Sequence, residues 1–234
     1  MKYKKLIDNF IQILKNTYKD SLISVTLYGS AASGEFSARH SNINLMVILD
    51  NASLENLSRM LKITSGHRFR ALSPVFFTEE YLRESTDVFP IEFLDMKENY
   101  SLLYGRDVLK DLEIDSKNLR FQCEQELKAK IISIKKFYLA NRSRPALEAG
   151  LFKSFNSSLH VLRNLIRLKG KAPPYLKEDV LKELGREFQI DTQALNKILV
   201  AKSKNLRLSS GQIEGLFFSF VKQLEEIVDI IDRL

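Results

Sequence analysis

The spacing of apolar residues changes once along this 234-residue chain, and that change limits what it can fold into more than any other feature. From about Asp115 onward, apolar positions recur every three or four residues: Leu127, Ile131, Ile134 and Tyr138, then Leu147, Leu151, Phe155, Leu162 and Leu165. Steps of this size put one apolar stripe along a helix. The first of these helices is expected to end near Arg144, because Pro145 opens the next, and Gly170 stops the second. Pro173 and Pro174 form a rigid connection to shorter helices over 177–188 and 192–201. The last stretch repeats Ile213, Phe217, Phe220, Leu224, Ile227, Ile231 and Leu234 in steps of three and four, the seam of helix-on-helix packing. A helical bundle over residues 114–234 follows.

Residues 1–113 read differently. An opening helix carries Leu6, Phe10, Ile13 and Leu14 on one side, interleaved with Asp8, Asn9 and Gln12, which suits a helix lying on a core and not a secretion signal. Residues 22–27 are rich in β-branched side chains and are cut off by Gly29, so they predict a strand entering a turn. Residues 43–49 predict a second strand. Ser53 is placed to cap a helix running to about Ile63. Two short segments, 74–77 and 90–96, complete an expected mixed α/β domain of about four strands.

Charge divides along the same line. Residues 1–113 hold 14 Lys and Arg against 15 Asp and Glu, a net of −1, whereas 114–234 hold 22 against 14, a net of +8. The basic excess therefore belongs to the helical half, where it suits solvated helix surfaces or a polyanionic partner such as RNA, or an acidic protein. The longest aliphatic run, 45–49, is far below the roughly 20 residues a membrane-spanning helix needs. A single cysteine, Cys123, allows no internal disulfide, and three scattered histidines offer no zinc spacing, so a reducing cytoplasm is the natural setting.

The chemistry, if any, is concentrated in Leu27-Tyr28-Gly29-Ser30-Ala31-Ala32-Ser33-Gly34-Glu35, followed by Ser41-Asn42-Ile43-Asn44-Leu45-Met46-Val47. A strand that ends in Gly-Ser and turns into a short helix presents backbone N–H groups and a hydroxyl where phosphate oxygens are favoured. On the following strand, Asn42 and Asn44 are two apart and share a face, while Ile43 and Leu45 point into the core. Glu92 and Asp95 lie on the segment expected to be extended at 90–96, on opposite faces of it.

This pattern resembles the nucleotidyltransferase superfamily, the polymerase-β-like fold that includes the aminoglycoside and antitoxin-type nucleotidyltransferases. Its signature is an apolar residue, Gly-Ser, a later Gly, and Asp-x-Asp on the next strand. Gly29, Ser30 and Gly34 match the first part over roughly the first 110 residues, but Asn42 and Asn44 stand where the two aspartates belong. The resemblance implies an α/β domain with a small mixed sheet followed by a helical domain. It also implies that positions 42 and 44, with a third carboxylate from a later strand, would hold two Mg²⁺ ions that bridge to nucleotide phosphates. Glu92 is the residue matched to the third position. Helical partners in antitoxin-type systems include RNA-cleaving bundles with an Arg and a His four to six residues apart; the second half has one histidine, His160, and no such pair.

Replacing Asp by Asn keeps an oxygen but removes a charge. One unit charge facing a dication at about 4 Å is worth on the order of 8 kcal/mol at an effective dielectric of ~20, before competing hydration. Losing half of one such interaction from the transition state would slow the reaction roughly a thousandfold. The sequence therefore points to a nucleotidyltransferase-fold protein with impaired catalysis, acting as a nucleotide- or partner-binding module, with Mg²⁺ and a nucleoside triphosphate held weakly. The alternatives are an active Mg²⁺-dependent transferase acting on a small-molecule or protein hydroxyl, and a non-catalytic RNA-associated protein.

Overall fold

A computed structural model describes residues 3–32, 42–64 and 67–234. The chain forms two compact units, Met1–Asp115 and Ser116–Leu234. In the first, α1 (Lys4–Tyr18) leads into β1 (Leu22–Tyr28), a 3-10 turn (Gly29–Ala31) and β2 (Ile43–Leu49). The short helices α2 (Leu54–Leu57) and α3 (Leu61–Thr64), joined by a 3-10 turn, connect β2 to β3 (Leu72–Phe77). Ser53 caps α2 by accepting from the Asn56 amide. After β3 come α4 (Glu79–Glu84), α5 (Pro90–Glu98) and β4 (Tyr100–Gly105).

The sheet order is β3-β2-β1-β4. β1 runs antiparallel to both β2 and β4, and β2 runs parallel to β3, so the small sheet is mixed. Period-2 alternation gives each face its own core. Val25, Leu27, Leu45, Val47 and Leu49 bury against Ile7, Phe10, Ile11 and Leu14 of α1. On the other face, Met46 and Ile48 bury against Leu82 of α4, Phe93 and Met96 of α5, and Val108, Leu109 and Leu112 beyond β4.

The expected strand at 90–96 is a helix, and the fourth strand is Tyr100–Gly105 instead. Pro90 at the start of α5 costs no hydrogen bond in the first turn and brings a φ already suited to helix. Phe93 and Met96, three residues apart, then bury in the same core cluster, a helical step that alternation along a strand could not satisfy.

The second unit is helical throughout its regular structure: α6 (Ser116–Ala140), α7 (Arg144–Leu168), α8 (Lys177–Phe188), α9 (Gln193–Ser203) and α10 (Ser210–Ile231). α6 stops four residues short of the expected Arg144. Asn141 turns its amide back onto the Phe137 carbonyl, and Ser143 caps α7 with Pro145 in its first turn. Gly170, at φ +68°, ends the run after α7. α10 opens on a reciprocal capping box between Ser209 and Gln212. Phe155, Phe217, Phe220 and Leu224 are fully or almost fully buried in the bundle, and the Gln223 side-chain Oε1 accepts from the Leu195 N–H in the first turn of α9. No described helix is long and apolar enough to cross a membrane.

Candidate functional site

Strand register assembles a row of side chains at the glycine-turn end of the sheet. Asn44 pairs with Ser73 of β3 on one side and with Tyr28 of β1 on the other, and Tyr28 pairs with Tyr100 of β4. Residues directly paired across a sheet point to the same face. Ser73, Asn44, Tyr28 and Tyr100 thus stand side by side, on the face that also carries Met46 and Ile48. Asn42 lies immediately before β2 and is exposed.

Gly29 follows Tyr28 directly. Its φ of +71° lies where a side chain is strained, and its N–H donates to the Asn99 carbonyl at 2.9 Å while its own carbonyl accepts from Ala32 at 2.9 Å. A Cβ built on Gly29 would lie 3.4 Å from Nδ2 of Asn44, so the amide of Asn44 rests against the open flank of this turn. Ser30 lies within the 3-10 turn, and α5 packs beside it. Gly34, with Arg39, His40 and Ser41, lies outside the described residues.

Burial raises the Tyr28 phenol above its ordinary pKa. Tyr100 is raised as well, first by burial and then by Asp107, which accepts a 3.1 Å hydrogen bond from its hydroxyl. Both rings therefore present neutral hydroxyls at any ordinary pH.

Glu92 is exposed on the first turn of α5, so it does not occupy a strand position, and Asp95 stands one turn further along the same helix. The strand-borne neighbour of Asn44 is Ser73, which sequence reasoning missed. The expected strand begins at Pro74, one residue after Ser73, and the register that sets Ser73 beside Asn44 is not displayed by the linear sequence. Among the described residues, no group of three or more His, Cys, Asp or Glu side chains is placed to hold a metal ion.

Solved structures supply the comparison. The chain is similar to the spectinomycin adenyltransferase AAD(9) from Enterococcus faecialis, whose crystal structure contains ATP and spectinomycin. The match has a TM-score of 0.57 and 12% sequence identity, and covers 94% of this chain and 98% of that one. The fold is that of a nucleotidyltransferase. No family model matches the sequence, and no curated protein matches it. At this identity the likeness is one of architecture, carried by the four-stranded mixed sheet and the helical C-terminal region.

A concavity of about 570 Å³ opens at the far ends of the parallel strands β2 and β3, between Asp50, Asn51, Ser53, Phe77 and Tyr81. The Phe77 and Tyr81 rings stack there at 5.6 Å. It lies at the opposite end of β2 from Asn44, six residues and roughly 20 Å away along the strand, and is separate from the glycine turn.

Proposed function

We propose that this chain is a nucleotidyltransferase-fold protein that binds a nucleotide phosphate at the Gly29–Ser30 turn without carrying out two-metal nucleotidyl transfer. The observation that carries this reading is the row in which Asn44 has Ser73 as its strand neighbour, with Asn42 two residues before it. Asn44 rests against the glycine turn on the expected metal-binding strand, Asn42 just precedes that strand, Ser73 lies beside Asn44 on β3, and all three side chains are neutral. Mg²⁺ is a hard cation that takes oxygen ligands, with carboxylates supplying its charge. Two amides and a hydroxyl do not suit it, and Glu92 would have to reach in from a helix.

Phosphate binding needs less. Gly29 at positive φ carries no side chain at the junction of strand and turn, and the hydroxyl and backbone of Ser30 lie in a tight turn straight after a strand, the arrangement expected of a phosphate cradle. Titration of the intact protein with ATP in a calorimeter tests the reading. Saturable binding that is weakened by Gly29→Ala, with the fold retained, supports it. Absence of binding to any nucleoside triphosphate would sink it and favour a role through protein or RNA partners.

A further inference from the structure

We infer that the Asn44 amide, with Ser73 beside it on β3, donates hydrogen bonds directly to nucleotide phosphate, so that this site takes its nucleotide without a divalent cation. The inference rests on the reading of the glycine turn as a phosphate site and goes further, by naming the ionic form of the ligand. The nearest atom to the open flank of Gly29 is Nδ2 of Asn44, the donor end of the amide. Register sets the Ser73 hydroxyl next to it on the same face. A carboxylate at either asparagine would repel phosphate unless a dication lay between them. An amide at the same place needs no intermediary, because its N–H groups are themselves complementary to phosphate oxygens.

The consequence is an inverted response to metal. A Mg²⁺ ion riding on the triphosphate would occupy the oxygens these donors need and would find no carboxylate cluster among the described residues to receive it. Mg²⁺ is then neutral or unfavourable for binding, where an aspartate pair would make it obligatory.

Calorimetric titration of the full chain with ATP, once in EDTA and once in excess Mg²⁺, decides the point. The expected affinity in EDTA equals or exceeds that in Mg²⁺. Asn44→Asp should weaken binding in EDTA by about tenfold or more, through loss of a charge-assisted donor and gain of a like charge, and Mg²⁺ should restore part of that loss. Asn44→Ala should also weaken binding in EDTA, with no recovery in Mg²⁺. Circular dichroism checks that each variant is folded, and the unmodified chain decides the outcome even if a variant is not. Binding by the unmodified chain that is tighter in Mg²⁺ by about tenfold or more would overturn this inference while leaving the phosphate site standing. No binding in either buffer would remove the phosphate site itself, and this inference with it.

Discussion

Two glycines at positive φ should respond very differently to the same substitution. Gly29 (φ +71°) and Gly105 (φ +77°) both occupy the left-handed region, where any L-residue pays about 1–2 kcal/mol. At Gly29 the added methyl meets Nδ2 of Asn44 at 3.4 Å, a contact that a small shift of one side chain relieves. At Gly105 it would lie 1.9 Å from the Ile23 carbonyl oxygen and 3.2 Å from the Ser24 Cα, atoms of the central strand that cannot turn aside. Gly29→Ala should therefore cost about 1–2 kcal/mol. Gly105→Ala adds overpacking against backbone and should cost about 3 kcal/mol or more. Urea denaturation of the full chain, followed by circular dichroism, measures both. The two should also part in function, because Gly29→Ala pushes on Asn44 and weakens nucleotide binding in a protein that remains folded. Equal losses of stability, or a Gly105→Ala variant as stable as the parent, would refute the reasoning.

Two further outcomes concern the helical unit. Lys128, which hydrogen-bonds to Glu124, and Arg120 beside it hold the Glu124 carboxyl below the ordinary carboxylate range. A depressed carboxylate stabilises the fold above its unfolded pKa and loses that contribution as pH falls through the folded value. Glu124→Gln should thus be less stable than the parent near neutrality, and the gap should close on acidification below the carboxylate range; a gap independent of pH would contradict this. Any binding of the chain to a polyanion should map to 114–234, which carries the net charge of +8. Fluorescence anisotropy with single-stranded RNA should show affinity falling about tenfold or more as salt rises fourfold. Insensitivity to salt would show that the basic surface is not responsible.

The parts of the fold that were legible in the sequence are those where hydrophobic period and punctuation agree. β1 and β2 are short β-branched runs ended by turn residues, and the helix expected over 177–188 after the Pro173–Pro174 connection is α8 (Lys177–Phe188). The segment from Pro90 to Met96 failed because seven apolar-rich residues fit a strand or a helix about equally. Burial of both Phe93 and Met96, three residues apart, beneath one face of the sheet suits a helix, and a linear sequence does not display that contact. β4 escaped notice because Tyr100, Ser101, Leu102, Leu103 and Tyr104 alternate in neither polarity nor burial. Within the candidate site, the Gly-Ser turn and the two asparagines were visible as local motifs. Ser73 was not, since its place beside Asn44 depends on the register of a parallel pair whose strands are joined through helices α2 and α3.

The most direct test of the account is nucleotidyl transfer by the unmodified protein. Labelled ATP, Mg²⁺ and a panel of hydroxyl acceptors would be incubated with the full chain. Pyrophosphate release would serve as a readout that does not depend on choosing the right acceptor. With Asn42, Asn44 and Ser73 in place of a carboxylate set, the account predicts label transfer and pyrophosphate release no greater than in a chelated control. Sustained turnover that a chelator abolishes would contradict it, and would mean that these neutral side chains hold a working metal centre.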